Sequence, residues 1–255
     1  MKKRADDLVL ARKLVESKSK AQALIMAGEI LFRKLNEEKD WQKISKAGSF
    51  FKEDEVEFKL LNPKDKDVGR GAKKLRHALE HWKLSPNGIA IDIGSSTGGF
   101  TQVLLEKGAS RVLALDVGYH QLHEKLRSDK RVLSVEKQHV LKVDEEFWQK
   151  SELKAPFDVL VADLSFISLT KVLAHVSSWL KKDKSFAILL LKPQFELSAA
   201  EVPKGIVRSQ EARDLALAKL KSCVESETTW TWCDVIESPI KGTKGNVEYL
   251  VYLKN

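Results

Sequence analysis

Two lysines and two carboxylates, drawn from distant parts of the chain, stand where proton chemistry is possible. Asp163 closes the apolar run Val159–Ala162, in Val161-Ala162-Asp163-Leu164-Ser165-Phe166-Ile167-Ser168. Lys192 closes the run Phe186–Leu191, just before Pro193-Gln194-Phe195-Glu196. Strands buried in an α/β sheet release their last residues at the ligand-binding edge, so both side chains should emerge there. Lys74 opens a helix-patterned stretch, and Glu248 sits in the terminal strand pattern Gly245-Asn246-Val247-Glu248-Tyr249. A lysine among carboxylates can take or stabilise a proton in a reaction. Taken singly, each has a plainer reading: a solvated strand end, a helix-surface charge, or an outward polar position.

A second group has the character of a cofactor loop. Ile91-Asp92-Ile93-Gly94-Ser95-Ser96-Thr97-Gly98-Gly99-Phe100 falls where a strand pattern gives way to a helix pattern. A dinucleotide fingerprint needs G-x-G-x-x-G, and a P-loop needs G-K-[ST]. Neither fits, because the spacing is Asp-x-Gly-x-x-x-Gly-Gly and Phe100 follows Gly99. The form resembles the first motif of S-adenosylmethionine (SAM)-dependent methyltransferases. That resemblance implies cofactor contacts from Asp92, Gly94, Ser95, Ser96, Thr97, Gly98, Gly99 and Phe100. It also implies a ribose-binding carboxylate at the end of the next strand, matched by Asp116 in Leu113-Ala114-Leu115-Asp116-Val117-Gly118. An adenine contact after the third strand is matched by His139, and Asp163 is expected close to the cofactor.

These residues need a scaffold, and the hydropathy pattern supplies one. Ala72, Leu75, Ala78, Leu79 and Trp82 line one helix face. Strand-like runs follow at 89–93, 112–115, 132–135, 159–162 and 186–191, with helical stretches such as 100–106 and 169–180 between them. That alternation predicts a parallel sheet covered by helices. The last two runs, 230–236 and 247–253, have only a turn-rich loop between them and predict an antiparallel hairpin at the sheet edge. Before residue 62 the pattern is different. Leu8, Ala11 and Val15, then Ala21, Leu24 and Ile25, predict two short helices. Ser19 with Gln22 reads as a capping box, and Gly28 as a helix stop. Strand pieces at 30–32 and 56–60 follow. The polar stretch 62–69 reads as a linker between an N-terminal domain, 1–61, and a second domain, 70–255.

The 255 residues carry a net charge of +8, and residues 1–75 hold a net of +6. Clustered basic charge neutralises phosphates and favours nucleic acid. The longest apolar runs fall far short of the ~20 residues of a spanning helix, and the start of the chain lacks a secretory pattern. Cys223 and Cys233 are too few for a disulfide framework and lack metal-site spacing. A cytoplasmic protein with no membrane and no metal is therefore expected. The segment Arg12-Lys13-Leu14-Val15-Glu16-Ser17-Lys18-Ser19-Lys20-Ala21-Gln22-Ala23-Leu24-Ile25-Met26-Ala27-Gly28 resembles the RNA-binding module named after the fourth small-subunit ribosomal protein. The resemblance implies RNA contacts from Arg4, Arg12, Lys13, Lys18 and Lys20.

Lys74, Asp163, Lys192 and Glu248 together resemble the Lys-Asp-Lys-Glu tetrad of the FtsJ-like ribose 2′-O-methyltransferases. Val68-Gly69-Arg70-Gly71, Ser95-Ser96-Thr97-Gly98-Gly99-Phe100-Thr101, Asp116-Val117-Gly118-Tyr119, Ser165-Phe166-Ile167-Ser168, Lys192-Pro193-Gln194-Phe195-Glu196 and Pro239-Ile240-Lys241-Gly242 are similar to the TlyA family, whose members also carry the name hemolysin. The family implies a Rossmann-like, mostly parallel seven-stranded sheet with an antiparallel terminal strand, beside a small α+β RNA-binding domain. It implies SAM-dependent 2′-O-methylation of a cytidine in ribosomal RNA, with ribosomal subunits as partners. Lys192 is then the proton-handling group and Lys74 a second cation, oriented by Asp163 and Glu248. Gly69 stands where the family has Ser, and Ala72-Lys73 where it has Gly-Leu. Lys73 therefore competes with Lys74, and register with Leu75 favours Lys74. His139 stands where a small polar residue is usual. A binding factor for RNA or ribosome assembly that keeps the fold without catalysis is the rival reading. A pore-former would need a spanning or barrel-forming segment, and none is evident.

Overall fold

The computed structural model describes residues 2–15, 17–35, 41–44, 46–60, 67–198, 200–202, 205–242 and 245–255. It divides into two compact units, 1–66 and 67–255. Residues 62–66 of the expected linker lie outside the described residues, as does Glu16.

In the first unit, β1 (Lys2–Arg4) leads into α1 (Ala5–Ala11) and α2 (Lys18–Met26). Then follow β2 (Ile30–Lys34), β3 (Gln42–Lys43), β4 (Phe50–Lys52) and β5 (Val56–Leu60). Antiparallel strands form a three-stranded sheet, β3-β2-β5, and a β1-β4 ribbon. Leu8, Val9, Ile25, Ile30, Val56 and Phe58 make the core. The capping expectation is corrected. Ser17, not Ser19, caps α2, accepting from the Lys20 amide at 3.2 Å. Gln22 instead donates to Asp6 at 2.7 Å. Gly28 does end α2: at φ +70° it lets its own amide and that of Glu29 reach the carbonyls of Ile25 and Leu24, as a Schellman closure requires. The first helix is shorter than its apolar spacing predicts, because Lys13 turns left-handed at φ +55°.

The second unit opens with α3 (Gly71–His81), β6 (Gly88–Ile93), α4 (Gly99–Glu106) and β7 (Ala109–Leu115). It continues through α5 (Glu124–Arg127), β8 (Val132–Val135), α6 (Glu145–Lys150), β9 (Val159–Ala162) and α7 (Thr170–Val176). It ends with β10 (Phe186–Leu191), α8 (Pro193–Glu196), α9 (Gln210–Glu227), β11 (Thr231–Glu237) and β12 (Tyr249–Lys254). The seven strands run in the order β11-β12-β10-β9-β6-β7-β8. β12 is antiparallel to both its neighbours, while β10, β9, β6, β7 and β8 are parallel. Glu248 thus lies one residue before its strand rather than within it.

Strand alternation divides the core between the two sheet faces. Ile91, Ile93, Leu113, Leu160, Leu189 and Val251 pack with α7 and α9 on one side. Ala90, Val112, Val161, Ile188, Leu190 and Tyr252 pack with α3 and α4 on the other. All six residues of β10 are buried, and each large apolar side chain so enclosed contributes about 1.5–3 kcal/mol. This fixes where the strand ends, and so where Lys192 emerges. The chain order reverses between β6 and β9, the switch point at which open α/β sheets bind ligands.

Candidate active site

Four strand ends converge at that switch point. β6 delivers Gly94, β7 delivers Asp116, β9 delivers Asp163 and β10 delivers Lys192. The Gly94 and Ser95 amides both donate to the Leu115 carbonyl, at 2.8 and 3.2 Å, so the loop is folded back across β7. Gly94 sits at φ +82°, and a Cβ there would lie 2.6 Å from the Asp163 carbonyl oxygen. Only glycine permits that approach.

Beside this loop is a cavity of about 430 Å³ lined by Gly94, Ser96, Asp116, Gln138, His139 and Phe166, among others. The Asp116 carboxylate accepts from the Ser96 amide at 2.7 Å and the Gly118 amide at 2.6 Å. A carboxylate has about four acceptor positions, so two remain for ligand hydroxyls. His139 lines the cavity, but its Nδ1 accepts from the Leu141 amide at 3.2 Å and caps a short turn. Glu136, absent from the sequence reading, holds the loop that carries Gln121, a lining residue. It accepts from the His120, Gln121 and Leu122 amides at 2.9, 3.2 and 3.4 Å, and the His120 amide leads in holding its carboxyl below the usual range.

A smaller cavity of about 220 Å³ adjoins it, lined by Lys74, Ser95, Thr97, Phe100, Lys192 and Glu248, among others. Gly94, Ser96, Asp163 and Ser165 border both cavities. Here the structure brings together all four members of the expected tetrad. Lys74 Nζ lies 2.7 Å from Glu248 and 3.5 Å from Asp163 Oδ2. Lys192 Nζ lies 2.7 Å from Asp163 Oδ1. Lys74, Lys192 and Glu248 are only 4%, 8% and 3% exposed. Lys73 is exposed. Gly242 makes room for this cluster, since a Cβ there would lie 2.5 Å from Glu248 Oε1. Gly69, where the family pattern has Ser, faces Thr97: a Cβ would lie 2.2 Å from its hydroxyl oxygen.

Two residues of the loop stand apart from both cavities. Asp92 lines neither cavity. It is fully buried, one oxygen accepts from Thr101 at 2.6 Å, and burial pushes its carboxyl up to about 7. Gly98 lines neither cavity either. At φ +94° it caps α4, and a Cβ would strike Leu126 and Leu122. Both residues support the loop from behind. Gly99 does line the smaller cavity, and its missing Cβ also allows close approach to the Ala72 amide.

The expected RNA-contact residues all fall in the first unit. Arg4 donates twice to Asp6, at 2.9 and 2.7 Å, so its guanidinium is committed to the fold. Arg12 donates to the Glu53 carbonyl at 2.7 Å and stacks over Phe58. Lys18 pairs with Asp7 at 2.6 Å. Lys13 and Lys20 are exposed.

Residues 68–255 match the model of the FtsJ-like methyltransferase family. The chain belongs to that family. It is 38% identical to Hemolysin A of Brachyspira hyodysenteriae, over 98% of each chain. It is 35% identical to the Mycobacterium tuberculosis 16S/23S rRNA (cytidine-2′-O)-methyltransferase TlyA, over 98% of this chain and 89% of that one. Among solved structures, a candidate hemolysin from Streptococcus thermophilus matches with a TM-score of 0.71 at 34% identity, covering 100% of this chain and 88% of that one. The seven-stranded sheet is the fold of the SAM-dependent methyltransferases. The larger cavity fits that cofactor: a glycine cradle, a carboxylate with acceptor positions to spare, and Asp163 of the tetrad in its lining. Among the described residues no helix is long and apolar enough to cross a membrane, and no group of three or more His, Cys, Asp or Glu could hold a metal ion.

Proposed function

We propose that this FtsJ-like methyltransferase methylates a cytidine 2′-hydroxyl of ribosomal RNA. One observation carries the reading. Lys192 Nζ lines the small cavity and is held 2.7 Å from Asp163, which borders both cavities. The family relation to a named rRNA (cytidine-2′-O)-methyltransferase supports the substrate. Gly94, Ser96, Asp116 and His139 would hold SAM in the larger cavity. Bound there, the cofactor supplies an electrophilic sulfonium methyl.

The chain's own residues handle the hydroxyl. A ribose hydroxyl is a weak nucleophile at neutral pH and gains from a base at hydrogen-bond distance. Lys192 takes or stabilises its proton. Asp163 orients Lys192 through one oxygen and Lys74 through the other. Glu248 balances Lys74. Each lysine is matched by a carboxylate, which lowers the cost of enclosing the cluster. With most groups fixed before substrate arrives, positioning supplies much of the rate. Lys13 and Lys20, with the rest of the basic first unit, engage RNA phosphates, and the substrate is offered within a ribosomal subunit in the cytoplasm.

The test is methyl transfer from labelled SAM to ribosomal subunits from a strain lacking the modification, with Lys192→Ala alongside. Alkali-resistant label at one cytidine, lost in the variant, is expected. No label on either subunit, with cofactor still bound, would favour a binding factor instead.

A further inference from the structure

The two lysines of the cluster are held differently. Lys74 Nζ has two carboxylate partners, Glu248 and Asp163. Lys192 Nζ has one carboxylate, Asp163 Oδ1 at 2.7 Å, and one hydroxyl, Ser165 Oγ at 2.8 Å. The substituents of an ammonium or amine nitrogen are tetrahedral. Cε takes one position, and Asp163 and Ser165 take two more. Rotation about the Cε–Nζ bond is thereby stopped, and the fourth position points away from both acceptors. With Asp163 alone, two tetrahedral positions would stay open, and nothing would decide which of them is left for the substrate.

The loop bearing Ser165 is itself held against the segment bearing Lys192. Glu196, four residues after Lys192, accepts from the Ser168 hydroxyl and from the Leu169 amide at 2.8 Å. Burial pushes the Glu196 carboxyl up, so the contact sits in a poorly hydrated place. The spacing between the Ser165 loop and the Lys192 strand end is therefore fixed at a second point. Ser165 also borders both cavities, as a residue at the transfer point must.

We propose that Ser165 is a positioning residue for methyl transfer: its hydroxyl locks the Lys192 nitrogen so that the fourth position faces the substrate hydroxyl. The proposal rests on reading Lys192 as the proton-handling group.

The experiment compares Ser165→Ala and Ser165→Thr with wild type in the full chain, using ribosomal subunits and labelled SAM. In Ser165→Ala, kcat should fall about 10- to 100-fold. The KM for subunits and the Kd for SAM should stay within about twofold, since the lost contact touches neither at rest. Ser165→Thr keeps the hydroxyl and should recover most of kcat. A second readout needs no activity. In protein with ¹⁵N-labelled lysine, the Lys192 nitrogen resonance should exchange protons faster in Ser165→Ala than in wild type, and revert in Ser165→Thr. Unchanged kcat, a loss that follows cofactor affinity, or an identical Lys192 resonance in wild type and Ser165→Ala would each overturn the proposal. A wild-type chain that methylates neither subunit would count against the functional reading, and the resonance would still decide whether Ser165 holds Lys192.

Discussion

Asp6 and Asp163 are carboxylates in ion pairs, one in each unit, and they differ in what is left over. Asp6 is fully buried. One oxygen accepts from Arg4 Nε at 2.9 Å and the Asp7 amide at 3.0 Å, the other from Arg4 and Gln22, both at 2.7 Å. All four acceptor positions are filled. The Arg4 guanidinium holds the carboxyl far below its usual range, although burial works the other way. Asp163 gives one oxygen to each lysine and borders two cavities. A closed set ties β1, α1 and α2 together. An open one has a free side on which a reaction can occur. An ion pair alone therefore says little about function, and the unfilled side says more.

The largest expected break in this contrast is Lys192→Ala. It should lower methyl transfer about 10²- to 10⁴-fold and also lower the melting temperature, because Asp163 loses one of its two lysine partners. Activity assays and calorimetry on one preparation check both halves. Asp92 is a third, intermediate case: one oxygen is bound by Thr101 and the other is buried with no partner among the described residues. Burial raises its carboxyl to about 7. Between about pH 4 and 7 the folded chain keeps a proton that the unfolded chain has released. The stability this confers is complete below pH 4 and is lost as pH rises through 7. Asp92→Asn should therefore gain on wild type across that window, by up to about 4 kcal/mol, in denaturant titrations. A constant difference across the window would refute the assignment.

Asp6→Ala should cost the first unit about 1–3 kcal/mol, moderated because Arg4 can turn to solvent. Hydrogen exchange should rise within residues 2–60 while cofactor affinity in the second unit holds. The smallest effect is expected from Lys13→Gln with Lys20→Gln. RNA affinity should fall severalfold and the salt slope by about one to two, with cofactor binding unchanged. An unaltered slope would remove these lysines from the RNA surface.

Much of the second unit was legible because apolar runs mark buried strands and therefore their ends. Asp163 and Lys192 were placed on that ground, and Asp116 through the resemblance of the preceding loop to a methyltransferase motif. Register of the family motif with the following Leu75 separated Lys74 from Lys73. Contacts between distant segments left no local mark. Ser165 meets Lys192 across 27 residues, and Ser168 meets Glu196 across 28. Asp92 belongs to the loop motif by spacing, yet its strand is enclosed on both faces, so its side chain turns into the core. Ser17 and Ser19 satisfy the same capping preference. Arg4 reads as a free basic residue because nothing local shows that its strand turns into α1 with Asp6 beneath it.

The Lys74–Glu248 pair joins the first helix of the second unit to the approach of its last strand, 174 residues apart. During synthesis, the carboxylate that balances Lys74 emerges only after the parallel strands already exist. β12 must then slot between β10 and β11, a late and long-range event. A chain cut short before this point would lack the inner strand of its sheet edge and one member of its charge cluster together. Competence thus reports completion: a half-made copy could hold much of the cofactor loop, but not the full constellation beside it.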